Sequence, residues 1–376
     1  MDPMPARFTL GRHAPTLILV STLGLPCLAG PAFSAQRDRP PPSITVTTRP
    51  GTADRGPHVK VKTDGPVGNK FTSFETADKT TFDLTDAAFV STFEHPKGNV
   101  FMAGNQPEPP KDLRVVGGVA DGGIPLEWNW RLVHGFGGAA FYTVARGTQV
   151  LDGVRIHNFE DGWHPRETPN FRRRSYPNTS RFVMRNCYVT GIRDDVIEND
   201  EFLPGEIDDC LFDGVWTMLS EQNERQNAVR REGVPTVGPD EDPFIRLNRA
   251  LVRITVTNAN ETGPGRWFKL QPYGSTSHRL SITDSVFAID QAPRNGWRLL
   301  NFPKDATYQG TNYILWLGTG PYQAEIPPGV KFLEGQAAKD KWHQVRNGWL
   351  VRHGYEPRSP NDWDPMKAPV AAPRRK

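Results

Sequence analysis

Long apolar runs are missing from this chain. The longest, Leu17 to Ala29, is too short to cross a bilayer, and no later segment approaches the roughly 18–20 apolar residues that spanning needs. An excess of one charge is missing too: 45 Lys and Arg against 42 Asp and Glu leave a formal net charge of +3. The basic residues are dispersed and no nucleic-acid-binding motif accompanies them, which excludes nucleic acid as the expected partner. Cysteine is scarce, three in all; beyond Cys27 only Cys187 and Cys210 remain, enough for one disulfide at most. No stretch of self-similar sequence carries two amphipathic helices, which excludes a helical solenoid.

What the chain does have is a short pattern that returns. Met184-Arg-Asn-Cys-Tyr-Val189 recurs as Ile207-Asp-Asp-Cys-Leu-Phe212, a shift of 23, and as Ile282-Thr-Asp-Ser-Val-Phe287, a further 75. Leu151-Asp-Gly-Val-Arg-Ile156 precedes it by 33, Leu247-Asn-Arg-Ala-Leu-Val252 falls between, and Thr311-Asn-Tyr-Ile-Leu-Trp316 continues the series. Each unit is a β-branched and aromatic run edged by Asn, Asp or Gly, which reads as strand plus turn. A period of this length then predicts an all-β solenoid whose six registers stack in parallel. Cys187 and Cys210 share a register with Ala250 and Ser285. They form either a disulfide, which strands about 4.8 Å apart allow, or part of a ladder of small buried side chains. Further strands are expected at Val115-Val-Gly-Gly, Leu126-Glu-Trp-Asn-Trp and Ala140-Phe-Tyr-Thr-Val144, with inserts at Gly162–Asn178, Glu221–Asp242 and Asp290–Gly310.

The ends differ in kind. Arg7, Arg12 and His13, the apolar run and Ala32-Phe-Ser34 make a secretory signal over residues 1–35, so the protein is expected to be secreted or periplasmic. Gly24-Leu-Pro26 is a poor lipoprotein box before Cys27. Residues 36–75, with their Pro run and charges, are expected to be a disordered or loosely attached arm, and 356–376 a disordered tail. Between them, 76–336 should be the solenoid. Trp342, Val345, Trp349 and Leu350 recur at helical spacing, so 337–355 is expected to be a C-terminal helix capping the open strand edge.

The coil length, the Asn, Asp and Cys beside the turns and the terminal helix resemble the right-handed parallel β-helix superfamily, the pectate-lyase-like group, over about residues 110–320. The resemblance implies a secreted protein with a long groove and a polysaccharide as partner. Asp194-Asp195 is similar to the paired aspartates of polygalacturonases, whereas the His-Gly and Arg-Ile-Lys elements expected downstream are absent.

The densest chemistry lies in Gly191-Ile-Arg-Asp-Asp-Val-Ile-Glu-Asn-Asp200. Aligning the coils makes Val196, Leu219 and Leu270 equivalent inward residues, which puts Asp195, Met218 and Lys269 in one outward column with Trp216 and Trp267 on the same side. Asp194, Asp195, Glu198 and Asp200 are candidate ligands for Ca²⁺, which takes 6–8 oxygens. Arg193 or that ion would neutralise a sugar carboxylate, and Lys269, with a lowered pKa, would act as base alongside Asp195. Trp216, Trp267, Arg172, Arg173 and Arg174 are candidate substrate contacts. Each has a plainer alternative: turn carboxylates that bond the backbone, a solvated lysine, packing tryptophans and a solvated arginine face. His157 and His164 lack metal-ligand spacing. The leading expectation is a monomeric polysaccharide lyase cleaving a uronic-acid polymer by β-elimination. A glycoside hydrolase using Asp194 and Asp195, or a non-catalytic glycan-binding envelope protein, stands beside it.

Overall fold

The computed structural model describes residues 43–52, 54–68, 73–91, 99–125, 127–167, 180–221, 244–256, 265–270 and 278–364, and its strands fall into three long sheets. The first holds, in spatial order, Ser43–Arg49, His58–Asp64, Thr80–Asp86, Lys111–Val116, Arg146–Asp152, Arg181–Arg185, Gly205–Asp208, Phe244–Asn248, Arg279–Thr283 and Thr307–Gln309. The second runs Val67–Gly68, Ala88–Val90, Val119–Asp121, Arg155–His157, Tyr188–Thr190, Leu211–Val215, Leu251–Ile254, Val286–Ile289, Asn312–Trp316 and Val330–Glu334. The third runs Ser73–Phe74, Phe101–Ala103, Ala139–Val144, Asp161–Arg166, Asp195–Glu198, Thr217–Ser220 and Phe268–Lys269. Through the middle of the chain each circuit visits the first, second and third sheet in turn. Each strand pairs in parallel with the one a circuit earlier; the first hairpin, Ser43–Arg49 with His58–Asp64, is antiparallel. One apolar core draws on all three sheets, with Val115, Ile156 and Phe141 as examples.

The recurring hexapeptides are not single strands. The first five span the corner from the first sheet to the second, whereas Thr311–Trp316 lies almost wholly in the second. Leu151, Met184, Ile207, Leu247 and Ile282 stack in one sheet, while Ile156, Val189, Phe212, Val252 and Phe287 stack in the next. At the last circuit the partners are Tyr308 and Ile314, three and two residues earlier than the expected Thr311 and Trp316; the two offsets differ because this corner carries one extra residue. The corner needs a left-handed backbone, which costs any residue with a Cβ unless a short polar side chain helps. The sequence obeys: Gly153, Asn186, Asp209, Asp284 and Gly310 have φ of 67°, 55°, 47°, 48° and 65°, and only Arg249, at 50°, departs from Gly, Asn or Asp. The next position is buried in five circuits, as Val154, Cys187, Cys210, Ala250 and Ser285; in the last circuit Thr311 is exposed and the buried residue is Asn312, one position later. Cys187 and Cys210 are free thiols in that ladder.

Four expectations about organisation need correction. Residues 43–49 and 58–64 are strands that begin the first sheet, not a disordered arm, because Val59 and Val61 alternate inward and join the core. Of the expected strand Leu126-Glu-Trp-Asn-Trp, Leu126 lies outside the described residues and 127–130 are not strand; Asn129 caps a short helix, α1 (Trp130–Phe136), by accepting the Leu132 amide at 3.1 Å. The first insert is partly strand, since Asp161–Arg166 belongs to the third sheet. The C-terminal helix, α2 (Gly335–Arg352), exists but does not sit over the end of the stack. It lies along the outer face of the second sheet, where Trp342, Trp349 and Leu350 pack against Tyr188, Leu211, Leu251, Val286 and Leu315 from five successive circuits.

The expected tail is also ordered as far as it is described. Arg346 donates to the carbonyls of Asp362 and Ser359, and Trp363 lies against the Arg253 and Arg346 guanidiniums. Beneath it, fully buried Asp213 meets Arg253 at 2.6 Å, Arg346 at 3.5 Å and Arg358 at 3.6 Å. Most of the second insert, the Arg172–Arg174 run and residues 365–376 lie outside the described residues.

Candidate active site

The carboxylates collect where the chain turns from the second sheet into the third. Glu160 and Asp161 occupy that corner in one circuit, Asp194 and Asp195 in the next. Pairing of Trp163 with Ile197, Glu198 with Ser220 and Ser220 with Lys269 sets one column of His164, Glu198, Ser220 and Lys269 along the third sheet. The expected column of Asp195, Met218 and Lys269 is therefore slipped: Asp195 pairs with Thr217, and Lys269 belongs with Glu198. The slip arises because strand length and corner length vary between circuits, which counting along the sequence does not reveal.

Lys269 nevertheless reaches the aspartates, as its flexible stem spans the difference. Its Nζ lies 3.1 Å from Asp195 Oδ2 and 3.6 Å from Asp194 Oδ1. The Asp195 amide donates to Asp161 Oδ1 at 3.1 Å. His164 Nδ1 is 3.1 Å from Glu198 Oε2, and its Nε2 is 3.7 Å from Asp200 Oδ2. From α1, Trp130 Nε1 donates to Asp194 Oδ2 at 3.4 Å and His134 Nδ1 meets Glu160 Oε1 at 2.6 Å.

This crowding splits the carboxyls into two kinds. Burial, then the charges of Glu198, Glu160 and the neighbouring aspartates, push Asp161 well above the usual carboxylate range. Burial and Asp194 do the same to Asp195. Asp194 is raised by burial and Glu198 against the pull of Lys269. Glu198 goes the other way: burial opposes its charge, but His164, Lys269 and a hydrogen bond with Asp161 hold it at about 2. His164 in turn is raised, because Glu198 and Asp200 outweigh its burial. The site thus holds carboxyls pushed toward the neutral acid beside one held as carboxylate, a combination suited to acid–base work.

Several expected roles do not survive. Lys269 is not a base with a lowered pKa: burial lowers it, but Asp195 and Asp194 outweigh burial and raise it above an ordinary lysine. Arg193 is not open to a sugar carboxylate, since its guanidinium is buried and donates to the carbonyls of Ile124, Pro125 and Trp128. Trp267 is a core residue packed on Phe287 and Phe302. Trp216 is half-buried at the corner one circuit beyond Asp194. The four expected calcium ligands do not converge on one point. Asp194 and Asp195 group with Asp161, while Glu198 and Asp200 group with His164, each set within 4.8 Å. The Lys269 ammonium already stands between the first pair, so the donor set fits a Ca²⁺ poorly.

Trp130, His134, Glu160, Asp161 and His164 were not legible as site residues. A signal existed for two of them: Asp161-Gly-Trp-His164 aligns with Asp195-Val-Ile-Glu198 one circuit on. α1 gave none, because its neighbours in space are 26 and 64 residues away in sequence. No family model matches the chain, and searches of curated proteins and of solved structures find no match either.

Proposed function

We propose that this is a secreted or periplasmic carbohydrate-active protein with a parallel β-helix fold, which hydrolyses glycosidic bonds of a polysaccharide at the carboxylate cluster. The circuit order through three parallel sheets supports the β-helix, and the rule that parallel crossovers are right-handed supplies its hand. The observation that carries the activity is the gathering of Asp194, Asp195 and Glu198 at one strand beside Lys269, with burial pushing the two aspartates toward the neutral acid and His164 holding Glu198 ionised. Asp194, lying between Trp130 and Lys269, would protonate the leaving oxygen, and Glu198 would stabilise the positive charge developing on the sugar ring. Elimination from a uronide loses its support, because its proposed base is a locked ammonium and its proposed carboxylate clamp is buried.

A cleft of about 560 Å³ beneath α2 is a weaker candidate. Arg249 and Arg352 on its rim are already paired, with Asp208 at 2.7 Å and Asp209 at 3.2 Å. The test is a polysaccharide panel read for new reducing ends and for the ultraviolet absorbance of unsaturated uronate. New reducing ends without that absorbance, lost in Glu198→Gln and Asp194→Asn, support hydrolysis. Absorbing products would replace it with elimination, and retention without cleavage with simple glycan binding.

A further inference from the structure

Hydrolysis requires a group that takes a proton from the incoming water, and an effective base titrates near the working pH. The carboxylate cluster does not provide one. Burial pushes Asp161, Asp194 and Asp195 toward the neutral acid, Glu198 at about 2 is too weakly basic, and the neighbouring carboxyls favour the cationic forms of Lys269 and His164.

His134 stands at the same cluster in a built setting. The four-residue spacing on α1 brings Trp130 and His134 to one face, where their rings stack at 4.6 Å and 11°. Glu160 fixes the imidazole edge-on at 2.6 Å; its side chain is 6% exposed while that of His134 is 48% exposed. Gly137 makes room for this approach. A Cβ there would stand 2.5 Å from the Val133 carbonyl oxygen and 2.6 Å from Glu160 Cβ and Oε2, and its φ of −72° is one any residue adopts, so these contacts together call for glycine. With Nδ1–H donated to Glu160, Nε2 carries the free lone pair. A second pair, His278 with Glu221, has the same 2.6 Å separation, but its imidazole is only 11% exposed, which fits a structural bond.

We propose that His134, aligned by Glu160 and stacked on Trp130, is the base that activates water at this site, an inference that rests on the hydrolytic reading. Asp194 and His134 lie on one side, their ligand atoms within 4.8 Å of each other, so acid and base act in turn on one face of the sugar. Asp194 gives its proton to the glycosidic oxygen, which takes the electron pair of the breaking C–O bond, and Glu198 stabilises the cation left on the ring. After the alcohol departs, water enters on the same face, and its oxygen bonds the anomeric carbon as Nε2 takes its proton. His134 then passes its proton to solvent and Asp194 regains one. Glu160 is a positioning residue.

The experiment follows kcat against pH on whichever polysaccharide the panel identifies, for wild type, His134→Gln, His134→Gly, Glu160→Gln and His278→Gln. His134→Gln should lose about 10²-fold or more in kcat together with the acid limb of the profile. Added imidazole should restore part of the rate in His134→Gly, and Glu160→Gln should displace the limb. His278→Gln should lower the melting temperature and leave the profile alone. If Asp194→Asn and Glu198→Gln abolish cleavage while His134→Gln keeps both kcat and the limb, the dyad is wrong and the hydrolase reading stands. A wild type that cuts no polysaccharide removes both.

Discussion

Lys269 and Asp195 lie 74 residues apart in the chain, yet their charged groups meet at 3.1 Å. The lysine is the counter-charge of an otherwise acidic corner. Replacing it with Met leaves Asp194 and Asp195 without that partner, and the loss of a charged hydrogen bond at a mostly buried site should cost about 1–3 kcal/mol near neutral pH. The cost should shrink as pH falls and the two aspartates, whose protonation burial already favours, lose the charge that Lys269 balances. Urea unfolding of wild type and Lys269→Met at neutral and at lower pH measures it; equal costs would contradict the counter-charge role.

Asp161 should make the protein more stable in acid than its neighbours would suggest. Its folded form keeps a proton that the unfolded chain loses near the ordinary aspartate value, about 3.9. The folded state therefore binds more protons above that pH, and this contribution falls as pH rises toward the raised folded value. Asp161→Asn keeps an acceptor for the Asp195 amide and a donor toward Glu198, but cannot ionise. Thermal melts should show little difference near pH 3 and a more stable variant near pH 7.

Chelation should leave stability unchanged. The oxygens expected for Ca²⁺ divide into two groups, and Lys269 occupies the position between Asp194 and Asp195. Melting in excess chelator, with and without added calcium, checks this. A fall that calcium reverses would restore the metal site.

Asp213 holds the C-terminal segment through buried charges. Asp213→Asn leaves Arg253 and Arg346 without their shared buried carboxylate, and breaking such a network costs about 3–5 kcal/mol. Asp290→Asn should cost less, because Asp290 is partly exposed and meets only Arg253 among these arginines. Denaturant midpoints of the two variants rank them.

Removing residues 335–364 should cause aggregation by baring the column Tyr188, Leu211, Leu251 and Val286 together with neighbouring Leu315, an apolar face across five circuits. Light scattering of the truncated protein reports it. A soluble product of unchanged stability would mean that this face needs no cover.

The sequence by itself determined the repeating architecture. A left-handed corner accepts few residue types and a buried ladder accepts only small ones, so Asn186, Asp209 and Asp284, then Cys187, Cys210 and Ala250, carry the period in their identities. It also marked α2, through tryptophans at helical spacing, and the acidic run from Asp194 to Asp200. Only the tertiary structure decided which side chains share a site. Register along the third sheet depends on corner lengths that change from circuit to circuit, and a slip of one residue reassigns every neighbour. Lys269 thus moved to the Glu198 column, Trp267 went into the core and Arg193 under a loop. The protonation states followed the same cause, since the titration of Asp161, Glu198 and Lys269 reflects burial and charges brought together from distant circuits.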